Sequence, residues 1–225
     1  MLDLLIREAE ALALPCFDLV PAAGGDEVMA YWGGTRSDLP ETLPFVGAVL
    51  STRHILSVDT THWNALGLKG RGPFALAIQT MHDDSEHAVA FPVSSGTLAG
   101  ISFEGAVPLQ AVKSVSLPPL EAVLLYGGPA IDALLKDRGL HRWEYSDLSG
   151  EDAEEYRSYF SDRSPLLSDP SPFARVGGWH ILWSDDDYYI PREMRLMLWT
   201  FEGSEPWYEL FLTPMLNHAV KARIT

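Results

Sequence analysis

The sequence predicts an α+β fold, a single domain over residues 1–225 in which a mainly antiparallel sheet carries helices at the N-terminus and in the middle of the chain. Apolar residues recur at helical spacing near the N-terminus and again after residue 127. Short β-favouring runs, separated by Gly, Pro, Asn or Asp, fill the middle and the C-terminal part. The connections between these runs are short, which favours antiparallel pairing over β-α-β units.

Four segments have the pattern of helices. The first ends before Pro15 and has an apolar face formed by Leu2, Leu5, Ile6, Ala9, Leu12 and Ala13. The second is "SDLPETLPFVGAVLS" (37–51). Its start signals are Asp38 as cap, Pro40 in the first turn and Glu41 at the capping-box position. Its predicted buried face consists of Leu39, Leu43, Val46 and Leu50. The third is "GGPAIDALLKDRG" (127–139) and the fourth is "GEDAEEYRSYF" (150–160), which has acids in its first turn.

Nine runs have the composition of strands. Those in the middle of the chain are "HILSV", "FALAIQTM", "AVAFPV", "TLAGISF" and "AVKSVSL". Those after residue 177 are "GWHILW", "MRLMLWTF", "WYELFLT" and "AVKARIT". Between the two sets, residues 161–172 are rich in Ser, Pro and Asp, and we interpret them as the best candidate for a weak subdivision of the domain.

The chain is acidic, with 31 Asp and Glu against 16 Lys and Arg, a net charge of −15. Residues 144–209 contain fifteen of the acids and five of the bases, so this segment carries most of the charge. Such a field repels phosphate backbones and anionic membranes and attracts a basic partner. The single cysteine, Cys16, excludes an internal disulfide and suits a reducing compartment. With no secretory signal and no long apolar run, we expect a soluble cytoplasmic protein that binds neither nucleic acid nor membrane.

The motifs that carry chemistry are weak. "MHDDSEH" (81–87) matches no metal-ligand spacing, "GLKGRG" (67–72) lacks the strand and helix of a phosphate cradle, and no Gly-x-Ser-x-Gly elbow is present. We therefore predict no catalytic residue, no cofactor and no metal. The alternatives left open are a small hydrolase or metal-dependent enzyme, using His180 with Asp186 or the His82 and His87 loop, and a general protein- or ligand-binding scaffold domain.

Aromatic residues flank acids in the C-terminal part, in "WSDDDYY" and "SEPWYE". Aromatic side chains supply contact area at protein interfaces and charges steer the partner. We interpret the two stretches as loops at the ends of neighbouring strands. The predicted partner-binding residues are Trp183, Asp185, Asp186, Asp187, Tyr188, Glu205 and Trp207.

Two stretches carry a resemblance. "MAYWGGTRSDLPETLPFVGAVL" (29–50), through Tyr31, Trp32, Gly33 and Arg36, resembles the opening of immunity proteins of bacterial polymorphic-toxin and type VI secretion systems, of the kind paired with restriction-endonuclease-fold nuclease toxins. In this chain Gly34 and Thr35 stand as extra residues before Arg36. "GGWHILWSDDDYY", with the segments that follow it to "KARIT", is similar to the end of uncharacterised bacterial proteins. The resemblance implies an α+β protein that binds and blocks a toxin and has no catalysis of its own.

Overall fold

The structure is a computed structural model. It describes residues 1–37, 42–45, 48–59, 74–80, 86–92, 98, 101–141, 150–163, 171–179, 196–202, 205–211 and 221–224. Side chains are described for residues 1–37, 54–59, 98, 101–141, 150–163 and 171–179.

These residues form four helices and thirteen strands. The helices are α1 (Leu2–Leu12), α2 (Leu120–Tyr126), α3 (Pro129–Asp137) and α4 (Glu151–Ser161). The strands are β1 (Leu14–Pro21), β2 (Ala30–Trp32), β3 (Thr35–Arg36), β4 (Thr42–Phe45), β5 (Ala48–Val58), β6 (Phe74–Thr80), β7 (Glu86–Pro92), β8 (Phe103–Glu104), β9 (Val107–Ser116), β10 (Ala174–Gly177), β11 (Leu196–Glu202), β12 (Glu205–Phe211) and β13 (Lys221–Ile224).

One large sheet contains eleven of the strands in the order β13-β12-β11-β10-β1-β9-β2-β5-β6-β7, with β4 paired to β5 outside this path. The pairings are antiparallel throughout the described strands. The sheet curls, and Cα atoms of its two end strands, β7 and β13, come within 8 Å of each other. The remaining strands, β3 and β8, form a separate two-stranded sheet. This architecture confirms the predicted α+β class.

The four helices pack into a layer with an apolar core. Its fully or almost fully buried members come from every helix and are Leu5, Ala9, Leu120, Val123, Leu124, Ile131, Leu135, Ala153 and Tyr156. Helices α1, α3 and α4 confirm the helical periodicity of their segments. Helix α2 was not predicted, because its apolar residues Leu120 to Leu124 are nearly contiguous and give no clear spacing. The Tyr156 hydroxyl donates to the Pro118 carbonyl at 2.8 Å, which provides this polar group of the core with a partner.

The helix predicted over residues 37–51 is wrong. Thr42–Phe45 and Ala48–Ser51 are paired strands, with Phe45 opposite Ala48 and Thr42 opposite Ser51. Pro44 cannot supply the backbone N–H of a helix interior, but a strand outside the main path tolerates it. The rest of β5 is held between β2 and β6, so long-range pairing outweighs the capping signal at the start of the segment.

Seven of the nine predicted strands are confirmed in their described residues, and two are corrected, as is one predicted loop. "TLAGISF" forms a strand at Phe103 alone among its described residues. In "GWHILW", Gly178 and Trp179 lie beyond the end of β10, and residues 180–183 lie outside the described part. "SEPWYE" was interpreted as a loop, yet Glu205 already begins β12, because residues 205–211 pair with both β11 and β13. The sequence predicts no strand at β1, because Pro15 has the pattern of a helix stop, and it predicts none at β2, β3, β4 or β10.

Candidate functional site

Most of the predicted partner-binding surface lies outside the described residues. This applies to Trp183, Asp185, Asp186, Asp187 and Tyr188. The backbone of Glu205 and Trp207 is described in β12, where Glu205 pairs with Glu202 across the β11–β12 hairpin. The predicted surface therefore stays a prediction. So does the rival use of His180, Asp186 or His82, which fall outside the same residues, whereas the backbone of His87 lies in β7.

The chain is fixed in place just before this acidic stretch. Gly177 and Gly178 have φ values of 75° and 87°, and a Cβ on Gly178 would lie 2.6 Å from the Ser116 Cβ, so a larger residue does not fit there. The Trp179 backbone N–H donates to the Ser116 hydroxyl at 2.9 Å, and that hydroxyl donates to the Trp179 carbonyl at 3.2 Å. These contacts attach Gly178 and Trp179 to the end of β9.

The Trp179 side chain links the sheet to the helical layer. Its indole N–H donates to the Leu12 carbonyl at 2.8 Å, at the C-terminal end of α1. Its ring lies 5.7 Å from the ring of Tyr126, at the end of α2. Sequence reasoning placed this tryptophan in a strand and missed the anchoring role, which depends on two helices distant in the chain.

Helix α4 presents acids to solvent at the opposite end of α1. The Asp152 carboxylate accepts from the Leu2 backbone N–H at 3.2 Å, while Ala153 and Tyr156 face the helical core. The exposed acids on and just beyond α4 are Glu151, Glu154, Glu155 and Asp162. Acids in the first turn are favoured there by the helix dipole. Arg157 pairs with Glu154 at 2.6 Å, and the Glu154 side chain is 71% exposed, so solvent screens that pair.

A second constellation, which the sequence did not reveal, surrounds a β-bulge in β5. His54 pairs with Ala77 and Leu56 with Leu76, so Ile55 is an extra residue in β5. Side chains alternate along a regular strand, which would place positions 54 and 57 on opposite faces. The bulge brings them to the same side, where the His54 Nε2 lies 2.8 Å from the Ser57 hydroxyl oxygen.

The geometry assigns the proton positions in this pair. The His54 Nδ1 lies 2.7 Å from the Gly33 carbonyl oxygen, which can only accept, so Nδ1 carries the hydrogen. In the neutral ring Nε2 is then the acceptor, and the Ser57 hydroxyl donates to it. The Ser57 oxygen also accepts from Arg36 Nη1 at 3.3 Å. This is the orientation of a serine nucleophile and its base, but Ser57 is 0% exposed and His54 and Arg36 are each 5% exposed.

The residues that carry the immunity-protein resemblance are built into this constellation. Gly33 supplies the carbonyl for His54, and Arg36 reaches Ser57. The Tyr31 ring stacks on Phe103 with centroids 4.0 Å apart and planes within 5°. Each of these residues contacts the interior of the protein, so this stretch builds the scaffold in the described structure.

Cys16 is a buried thiol. It is 1% exposed, and burial raises its pKa to about 11; Asp18 adds to the rise, while Arg175 and a hydrogen bond from Ser114 oppose it. Asp18 and Arg175 themselves form a two-pronged ion pair, at 2.6 and 3.0 Å. A protonated thiol is a poor nucleophile and a poor metal ligand.

Within the described ranges, no three His, Cys, Asp or Glu side chains come together as a metal site. None of the described helices is long and apolar enough to cross a membrane. Comparison with protein-family models and with curated proteins gives no match for this chain.

Proposed function

We propose that this chain is an immunity protein that binds a cognate bacterial toxin, a nuclease effector, and blocks its active or substrate-binding surface. A nuclease presents a basic surface to hold phosphates, and an acidic surface of matching shape can occupy it. The proposal rests on charge placement together with the resemblance of residues 29–50.

The observation that carries the proposal is the acidic outer face of α4. It belongs to the segment that contains fifteen of the 31 acids, and it is mounted on a helical layer with a closed apolar core. A rigid support lowers the entropic cost of binding, because the helical layer is already ordered before the partner makes contact. The same layer anchors Trp179, six residues before Asp185. We infer that the toxin contacts the outer face of α4, and we keep the predicted Asp185–Asp187 run as a second contact that is tested separately.

The scaffold role of Tyr31, Gly33 and Arg36 supports this assignment indirectly. Their contacts are internal, so a partner surface is better sought where charged groups face solvent. Exposed acids accelerate association, because they draw a basic partner over distances near the Debye length.

The test is co-expression with the product of the neighbouring gene, measured as growth rescue and as association kinetics. We expect Asp185→Lys/Asp187→Lys and Glu155→Lys/Asp162→Lys each to slow association about tenfold at low salt, with a smaller effect at high salt. The matched control is Glu10→Lys/Asp137→Lys, which changes the net charge equally at exposed acids of α1 and α3. Equal effects of all three pairs would show that only net charge matters. A neighbouring product that neither harms growth nor binds would overturn the immunity role.

The Ser57–His54 pair favours a second candidate, a small hydrolase. The proton positions suit nucleophilic attack by the Ser57 oxygen, with His54 as base. Because the side chains of Ser57 and His54 are both buried, toxin binding is the better-supported function. A fluorophosphonate probe separates the two: labelling that disappears in Ser57→Ala and His54→Gln supports hydrolysis, and an unlabelled native protein contradicts it.

A further inference from the structure

The two-stranded sheet β3–β8 is the continuation of the β2–β9 ladder after a sharp bend. Trp32 pairs with Val107 in the main sheet, and a few residues further along the same two chain segments Thr35 pairs with Glu104 and Arg36 with Phe103. We call the segment formed by Thr35–Arg36 and Phe103–Glu104 the strap. It leaves the large sheet and folds back over Tyr31, His54 and Ser57.

Glycines form both corners of the bend. Gly33 and Gly34 have φ values of 63° and 68°, and Gly105 has a φ of 70°. A Cβ at Gly34 would overlap the Ala106 amide nitrogen and the Glu104 carbonyl oxygen, so this corner requires glycine. Glycine adopts this left-handed backbone at no steric cost and moves out of it as readily. The strap is therefore joined to the sheet at points where the backbone can rotate.

The inner side of the strap contacts the buried pair and Tyr31. Arg36 Nη1 donates to the Ser57 hydroxyl at 3.3 Å, and the Phe103 ring stacks on Tyr31 at 4.0 Å. The Phe103 ring centroid also lies 5.9 Å from that of His54. The outer side, at Thr35, Glu104 and Gly105, is exposed.

Among the described residues, the strap has a shorter hydrogen-bonded ladder than the sheet from which it bends. Beyond its two ladder pairs, the Ser37 N–H donates to the Ser102 carbonyl at 3.0 Å, and the Ser102 N–H to the Ser37 hydroxyl at 3.2 Å. By comparison, β9 pairs with β1 along its length from Leu109 to Ser116. Segments with few buried apolar contacts and exposed hydrogen bonds open at a lower free energy than the whole protein.

We propose that the strap is a hinged flap, which opens at Gly33–Gly34 and Gly105 while β2 and β9 stay paired, and that its opening exposes the Ser57–His54 pair to solvent. The Arg36–Ser57 hydrogen bond and the Tyr31–Phe103 stack contribute to closure. The device is independent of the proposed toxin partner.

Thiol labelling tests the opening, with the native cysteine as reference. Ser57→Cys in a Cys16→Ser background reports exposure under the strap, and Cys16 in the native protein, buried between β9 and β10, reports global unfolding. We expect the thiol introduced at position 57 to react at least tenfold faster than that of Cys16. Phe103→Ala should increase the labelling rate at position 57 by about a further tenfold. The same substitution should change the labelling rate of Cys16 by less than about twofold. Equal rates at the two positions, changing together in every variant, would overturn the flap.

Because Ser57→Cys alters one closing contact, hydrogen exchange on the native serine provides the second measurement. The Ser37 amide, bonded to Ser102, reports the strap, and the Met29 amide, bonded to the Leu109 carbonyl, reports the β2–β9 region. Phe103→Ala should accelerate exchange at Ser37 about tenfold without a change at Met29. The matched control is Glu104→Ala, in the exposed side of the strap, which should change neither. Equal acceleration at both amides would mean that the strap moves only when the sheet unfolds.

Discussion

The helical layer and the strands bury different kinds of groups. The helical core consists of aliphatic side chains and Tyr156. The buried polar residues of the described part all belong to strands and are Arg36, His54, Ser57, Ser116 and Arg175. The stability of the helical layer depends on the close packing of its core. The stability of the strands depends on every buried donor and acceptor having a hydrogen-bond partner. The two regions should therefore fail in different ways when they are mutated.

The largest effect is expected from a cavity in the helical layer. Leu124 is 0% exposed and contacts the core shared by α1, α2, α3 and α4. Leu124→Ala should lower the free energy of unfolding by about 3 kcal/mol, measured by urea denaturation, because the lost contacts and the cavity both cost stability. Leu134→Ala, at a half-buried position beside the same core, is the control and should cost clearly less. Equal losses would mean that this layer is not closely packed.

A smaller loss is expected where the buried groups are polar. Ser57→Ala removes a hydroxyl that accepts from Arg36 and donates to His54. It should lower the free energy of unfolding by about 2 kcal/mol, although it removes a single atom, since a buried guanidinium and imidazole lose a partner. Ser158→Ala, on the exposed side of α4, is the control and should change stability by less than about 0.5 kcal/mol. A Ser57→Ala protein as stable as the native one would remove the contrast between the two regions.

The smallest effect is a pH dependence from the thiol of β1. Burial raises the pKa of Cys16 to about 11 in the folded protein, so the unfolded chain loses this proton first as the pH rises. The stabilising contribution is complete below pH 8 and declines between pH 8 and 11, by about 1 kcal/mol at pH 10. The measurement is the difference in urea midpoint between pH 7 and pH 10 for the native protein and for Cys16→Ser. The pKa of Tyr156 is raised too, mainly by burial, but that phenol is common to both proteins and cancels. Identical pH dependence in the two would contradict a buried, protonated thiol.

Three of the four helices could be predicted from the sequence, whereas the strands of residues 42–51 could not. Local periodicity is enough for α1, α3 and α4, since an amphipathic helix forms its hydrogen bonds within its own segment. It was misleading for residues 37–51, where capping residues indicated a helix and the partners of β5 were distant strands. Strand propensity depends on such neighbours, so a single segment does not determine the outcome.

The sequence by itself determined the α+β class and the concentration of acids in residues 144–209. These follow from composition and short-range pattern. Only the tertiary structure decided that Ile55 is an extra residue, that Ser57 and His54 meet, and that glycines fold the strap over them. It also decided that Trp179 anchors its segment to Leu12. The physical reason is that each of these contacts depends on the register between strands or on helices far apart in the chain, and the residues that make it have no distinctive spacing in the sequence.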